Sequence, residues 1–141
     1  MLYETFTTIR EHMKQITEIK AVQWYNAQYD GVIYTTPVVF IEFPSRIPLE
    51  QIAGKSFRAN FAVRIHIVSA SQALQDNSIP DETISGHEAI AGKVLEVLQG
   101  EQLPMGAGCS TSLVPCGWQH YHAYRGFMVT FVEFEASAME F

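Results

Sequence analysis

The chain has 141 residues, of which 48% are hydrophobic, and its formal net charge is −6 at pH 7. One hydrophobic core is typically built from ~100–150 residues, so the sequence predicts a single domain over residues 1–141. The acidic charge argues against binding to nucleic acid or to an anionic membrane. We expect no secretory signal, because the start of the sequence has no basic region followed by an apolar run. We also expect no membrane span, because no apolar stretch approaches the ~18 residues that a span needs.

The first predicted element is an amphipathic helix over residues 3–19. Apolar side chains recur there at steps of three and four, with charged side chains between them, which is typical of a helix that buries one face. Residues 22–26 alternate between apolar and polar side chains and predict a short strand, and Asp30-Gly31 after them predicts a turn. Residues 38–43 are apolar on nearly both faces, so we expect a strand covered on both sides.

The strongest strand signal lies at residues 57–68. Odd-numbered positions there carry an unbroken apolar row, and even-numbered positions are mostly polar. Because alternate side chains of a strand leave on opposite faces, this pattern predicts a long strand with one face in a core and one wetter face. We expect Phe61, Val63 and Ile65 to be buried against one or both helices. Arg58 and Arg64 should lie on the opposite face.

A long connection, residues 44–56, separates these two strands and is called the arm below. The flanking strands should form a hairpin with the arm as its extended tip, and connections of about a dozen residues are often functional. The arm combines basic side chains, on an otherwise acidic chain, with apolar side chains that have no obvious place in the domain's own core. An exposed segment of this kind is costly unless a neighbour covers it. We therefore predict an assembly interface formed by Arg46, Ile47, Leu49, Ile52, Lys55 and Arg58.

The clearest helix signal begins near Pro80. Ser78 is in position to cap this helix, the acidic residues that follow favour the positive end of the helix dipole, and Gly100 is expected to end it. Gly86 and Gly92 each cost roughly 1 kcal/mol relative to Ala inside a helix, which suggests close packing at these positions. The predicted buried stripe consists of Ile84, Ala91, Val94, Leu95 and Leu98.

The remainder of the chain predicts a loop and two strands. Residues 103–108 are rich in Gly and Pro and predict a flexible loop, and strands are expected at 110–114, or onward to 124, and at 126–136. The predicted fold class is therefore α+β, in the order α-β-β-β-α-β-β, with a mostly antiparallel sheet of about five strands and two helices packed on one face.

Few residues have the spacing of a chemical site. His120 and His122 would share one face of a strand, and together with Cys116 they could bind zinc, although two half-exposed strand histidines are the simpler interpretation. His66 falls on the wetter face of the central strand and no nucleophile motif accompanies it, so it is interpreted as a surface or interface histidine rather than a catalytic base. His87 is interpreted as a packing or solvent-facing residue.

The known catalytic and nucleotide-binding motifs are missing from the sequence. None of the serines lies in a G-x-S-x-G context, and the glycine-rich run at residues 105–108 lacks the Lys-Ser/Thr of a P-loop. We therefore predict no catalytic residue, no cofactor and no metal, and hence a protein that is not an enzyme. Cys109 and Cys116 are expected to be free thiols in a reducing compartment.

The order of the elements carries more information than any motif. An amphipathic helix opens the chain, and the Asp30-Gly31 turn leads to the strand P-V-V-F-I-E-F-P. The strand F-R-A-N-F-A-V-R-I-H-I-V and the helix H-E-A-I-A-G-K-V-L-E-V-L-Q-G follow, and after a Gly/Pro loop two closing strands end in M-V-T-F-V-E-F-E. In this order the chain resembles, over nearly its full length, the tail terminator and tail-completion (head–tail joining) proteins of long-tailed bacteriophages and prophages.

This resemblance implies a non-enzymatic structural protein that assembles into a ring, typically a hexamer, at the top of the tail tube. Such a ring stops polymerisation of the tube and joins the tail to the head connector. The implied partners are further copies of the chain, the tail tube protein and the head–tail connector protein. The implied location is the virion tail, and the host cytoplasm during assembly.

Two other classes of function remain open from the sequence. One is a small metal-dependent enzyme that uses His120, His122 and Cys116, which stoichiometric zinc in the purified protein would favour. The other is a monomeric ligand-binding α+β domain with a pocket between helices and sheet, which a monomer stabilised by a ligand would favour.

Overall fold

The computed structural model describes residues 2–29, 34–121, 126–139 and 141, and within them it has two helices and a mixed sheet of eight strands. In chain order the elements are α1 (Leu2–Met13), β1 (Ala21–Trp24), β2 (Val38–Glu42), β3 (Leu49–Ala53), β4 (Ser56–Ala70), α2 (Asp81–Leu98), β5 (Gln102–Met105), β6 (Gly108–Ser112), β7 (Val114–Tyr121) and β8 (Phe127–Ala138). The α+β class is as predicted. The predicted helices and strands also follow one another in the predicted order, with additional strands between them.

The strand that contains the alternating pattern, β4, lies at the centre of the sheet. The strand order is β1-β2-β4-β8-β6-β5, while β3 also pairs with β4 and β7 also pairs with β8. The β1–β2 pair is parallel and the other pairs are antiparallel. Because β4 and β8 pair from Ala59↔Ala138 to Ala70↔Phe127, these two long strands hold the two ends of the sheet together.

The helices and the sheet enclose the main core. Both helices pack on the face that carries the odd-numbered residues of β4, as predicted, and Val63 and Ile65 are completely buried there. Phe61 is also buried, in a smaller cluster with Met105 and Ala138 at one end of the sheet. The predicted burial of Phe61, Val63 and Ile65 is therefore confirmed, while Phe57 at the start of the same row is only partly buried.

The opposite face of the sheet is less open than the pattern of β4 predicts. Arg64 lies on this face and is partly exposed, but His66 is only 2% exposed, so its interpretation as a surface histidine is wrong. Aromatic side chains from outside β4, which its own alternation cannot reveal, cover the centre of the face. The cluster that they form contains Tyr29, Val38, Phe40, Val68, Val129 and Phe131.

The first helix is shorter than predicted. It ends at Met13, and the chain continues in turns, from which Ile16 still reaches the main core. The apolar spacing of residues 14–19 therefore reflects burial of turn residues rather than a further helical turn.

The second helix departs from prediction at its beginning. Pro80 is the residue before it, and Ser78 does not cap it but hydrogen-bonds to Asp76. Ile84, which was predicted to lie in the buried stripe, is 40% exposed, and the stripe begins at His87. The buried residues of the helix are His87, Ile90, Ala91, Val94 and Leu98.

Of the three glycines in and just after the second helix, one has the predicted role and two do not. Gly100 follows its end with φ +82°, the left-handed conformation expected of a C-terminal glycine. The close packing predicted at Gly86 and Gly92 is wrong, because a side-chain carbon added at either position would meet no atom within 4 Å. We find no structural reason for these two glycines within the described residues.

The region predicted as a Gly/Pro loop is a β-hairpin. β5 and β6 pair around residues 106–107, and Leu103 and Met105 are completely buried. Together with β3 and the separate strand β7, this hairpin brings the strands to eight rather than about five.

Three further sequence predictions concern turns, thiols and membrane spans. Asp30 and Gly31 lie outside the described residues, so the turn there stays a prediction. Cys109 and Cys116 are exposed and unbridged, as predicted. Neither helix in the described part of the chain is long and apolar enough to cross a membrane.

Candidate assembly surface

Residues 49–56 of the arm belong to a β-ribbon rather than to an irregular loop, which corrects the prediction for this part of residues 44–56, while residues 44–48 lead into it without a strand. β3 pairs antiparallel with the beginning of β4, from Leu49↔Ala59 to Ala53↔Ser56, and Gly54 adopts φ +54° at the tip. All five residues of β3 are exposed. Because β4 joins β8 only from Ala59 onward, the ribbon extends past the end of the long central pair.

The structure divides the six predicted interface residues into two groups. Ile47 is partly buried against the cluster that contains Phe61, so the expectation that it has no place in the domain's own core is wrong. Arg58 forms an ion pair with Glu50 across the same ribbon. These two residues therefore support the arm itself.

The other four predicted residues remain on the outside of the arm. Leu49 is 51% exposed and Ile52 is 50% exposed, so β3 presents two large apolar side chains to solvent. Arg46 and Lys55 are exposed, and no acidic side chain among the described residues forms an ion pair with either. The arm therefore presents apolar and basic groups together.

A second exposed apolar edge lies on the other side of the sheet, along β7. Val114 is 55% exposed and Trp118 is 46% exposed. Because β3 pairs with β4, β7 pairs with β8, and β4 and β8 are neighbours, the arm and β7 lie on opposite sides of the two central strands. A molecule with two different exposed edges has the geometry for head-to-tail contacts between copies.

A surface depression of about 510 Å³ separates the base of the arm from the beginning of β7. Small side chains such as Ala62 and Ala136 lie along it, and Val114 and the exposed acidic Glu135 lie on the β7 side. Arg46 lies on the arm side. The depression thus offers an apolar and an acidic group side by side, the complement of the arm.

A buried polar network centres on His66. The Tyr29 hydroxyl lies 2.6 Å from its Nδ1, and Oε2 of Glu42 lies 2.8 Å from its Nε2. The guanidinium of Arg64 contacts both Glu42 and Glu133, at 3.5 and 2.5 Å. Burial lowers the pKa of His66, and the hydrogen bond that Nε2 donates to the Glu42 carboxylate opposes part of that effect.

The pKa of His66 predicts a pH-dependent stability. The unfolded chain binds a proton near pH 6.5, before the folded protein does, because burial lowers the folded-state pKa below this ordinary value. The contribution of His66 to the free energy of unfolding is therefore fully present above about pH 6.5, and it is lost as the pH decreases below this value. We expect urea unfolding to show a lower free energy at about pH 5.5 than at about pH 7.5, and a smaller difference for His66→Gln. An equal difference in the two proteins would contradict this assignment.

A second polar cluster lies beneath α2. The Ser69 hydroxyl lies 2.7 Å from Nδ1 of His87, and the Thr130 hydroxyl lies 2.8 Å from Nε2. Burial, with a smaller effect from the nearby His120, lowers the pKa of His87 to about 4. A Ser–His contact is the first half of a nucleophile–base arrangement, but a general base works best with a pKa near the operating pH. The cluster fits the packing role predicted for His87 better than catalysis.

The possible zinc ligands named from the sequence are only partly visible. His122 lies outside the described residues, so its position relative to Cys116 and His120 stays a prediction. His120 lies beside His87, with 6.4 Å between the ring centroids. Sequence spacing could not reveal this neighbour, because the two histidines come from a helix and a strand that are brought together only by folding.

The ligand-binding alternative has one structural counterpart. A second depression, of about 650 Å³, lies between the beginning of α2 and the ends of β2 and β4, and Thr36, Ala70 and Thr83 are among its lining residues. It is open to solvent and lined by a mixture of polar and apolar groups, so nothing in its chemistry selects a class of ligand.

Comparison with known proteins gives one informative result. No family model matches the chain, and neither does any curated protein. Among solved structures, a chain of the "Virion of native gene transfer agent (GTA) particle" superposes with a TM-score of 0.59 over 94% of this chain and 92% of that chain. The chain has the fold of a GTA virion protein. The two sequences are 12% identical, so the likeness concerns the fold alone. It extends over nearly all of both chains.

Proposed function

We propose that the protein is a non-enzymatic structural component of a phage-like virion, and specifically a tail terminator or tail-completion protein. In this role it forms a ring that caps the tail tube, ends polymerisation and joins the tail to the head connector. The observation that supports the proposal most is the fold shared with a GTA virion chain over 94% of this chain. The order of elements along the sequence, which resembles tail terminators, points to the same role independently.

The two exposed edges suggest how copies of the chain would contact one another. In a ring every subunit uses one surface toward one neighbour and a different surface toward the other. We propose that Ile52 and Lys55 of one arm dock against Val114 and Glu135 of the next subunit. The contact would bury apolar groups that are half-exposed here and pair a basic side chain with an acidic one.

The acidic charge of the chain agrees with this role. A tail-completion ring surrounds the path of the DNA, and a lumen of net negative charge would repel the passing phosphates rather than hold them. The net charge of −6 is consistent with such a lumen.

The oligomeric state and the effect on tube growth test this proposal together. We expect light scattering and negative-stain images of the purified protein to show closed rings, of about six subunits, as the concentration rises. We also expect the rings to shorten the tubes formed by the tail tube protein of the same virion. A protein that stays monomeric at every concentration and leaves tube length unchanged would overturn the proposal.

A further inference from the structure

We propose that His87, Glu88 and His120 form a zinc-binding site that links α2 to β7. One donor atom from each of the three residues lies within 4.8 Å of the other two. Two imidazoles and one carboxylate are a common ligand set for Zn²⁺, with a fourth position left for water or another ligand. The site is independent of the proposed role in tail assembly.

The folded sheet brings these residues together through Thr130. His120 is the Cα partner of Thr130 in the β7–β8 ladder, and the Thr130 hydroxyl lies 2.8 Å from Nε2 of His87. Nε2 of His87 therefore faces the strand position that carries His120. Glu88 follows His87 on the same turn of α2 and is exposed.

Small side-chain movements would complete the coordination. Zn–N bonds are about 2.1 Å long, so the donor atoms around a tetrahedral zinc lie about 3.4 Å apart. The three donor atoms lie within 4.8 Å of one another here, so they need to approach one another only slightly. Glu88 and His120 are both exposed and can rotate inward. His87 is fixed by Ser69 at Nδ1, 2.7 Å away, so Nε2 need only exchange the Thr130 hydroxyl for the metal.

Ser69 is placed to orient the ring of a zinc-bound His87 through its contact with Nδ1. A zinc-bound histidine generally uses its other ring nitrogen for a hydrogen bond that fixes the tautomer and the ring orientation. Nitrogen donors favour Zn²⁺ over Mg²⁺, which prefers oxygen ligands. The site is therefore expected to distinguish between these two ions.

Calorimetric titration of the full chain with ZnCl₂, and with MgCl₂ for comparison, tests the site. We expect one zinc per chain, little or no magnesium binding, and a zinc-dependent rise in Tm of about 5 °C or more when free zinc exceeds Kd ~100-fold. His120→Ala and Glu88→Gln should each weaken zinc binding about tenfold or more. The matched control His12→Ala, which removes a histidine that lies near Glu101 instead, should bind zinc like the wild type.

Two results would overturn the proposal. One is the absence of saturable zinc binding by the wild type. The other is binding that survives Glu88→Gln but is lost in Cys116→Ala or His122→Ala, which would assign the metal to the ligand set suggested by the sequence. Because His120→Ala and Glu88→Gln change exposed side chains, loss of folding should not obscure either result.

Discussion

Phe61→Ala is expected to lower the free energy of unfolding by about 3–5 kcal/mol, the range measured for removal of a buried Phe. Phe61 is 4% exposed and contacts a cluster that joins β4, β5 and β8 to the base of the arm. Truncation leaves a cavity where three strands meet, so the packing of several elements is lost together. Chemical denaturation at constant temperature measures the change directly.

Tyr3→Ala is the matched control for this substitution. It removes an aromatic ring of similar size that is 68% exposed on α1, so stability should change by no more than about 0.5 kcal/mol. A loss below about 1 kcal/mol for Phe61→Ala would mean that this end of the sheet can collapse around the cavity. It would also mean that the cluster around Phe61 does not hold the base of the arm in place.

Leu49→Asp/Ile52→Asp is expected to abolish ring formation while leaving the subunit folded. Both side chains are about half-exposed in the free chain, so charges there cost little stability. In the proposed ring the same positions are covered by the next subunit, and two buried carboxylates without partners would cost several kcal/mol at each contact. Light scattering and negative-stain imaging measure the assembly, and circular dichroism checks the fold.

Leu74→Asp/Ile84→Asp provides the control for surface charge as such. These side chains are also large, apolar and exposed, at 59% and 40%. The arm pairs with the beginning of β4, whereas Leu74 follows the opposite end of β4 and Ile84 lies near the beginning of α2. This variant should form rings like the wild type. If the arm variant forms rings of normal size, the arm is not the interface, although the virion role could still hold.

A charge exchange identifies the surface that receives the arm. Lys55→Glu should weaken assembly, since it places a carboxylate against Glu135 of the neighbour, and Lys55→Glu/Glu135→Lys should restore part of it. Equal assembly by the single and the double variant would contradict the proposed pairing, without affecting the prediction for Leu49 and Ile52.

The sequence by itself determined the fold class and the orientation of the central strand. The two-residue period of residues 57–68 needs only local geometry, so the burial of Phe61, Val63 and Ile65 followed from it. The arm was also recognisable, because its length and its mixture of basic and apolar residues are local properties. Its structure as a β-ribbon was not, since β3 is stabilised by pairing with β4 rather than by its own pattern.

Only the tertiary structure decided which side chains meet. His66 was expected at the surface because its own strand alternates, but Tyr29 and Phe131 arrive from distant segments and cover it. His120 was grouped with its neighbours in sequence, whereas folding places it beside His87, a residue of α2. A periodic pattern reports on which face a side chain lies, and it carries no information about the element that packs against that face.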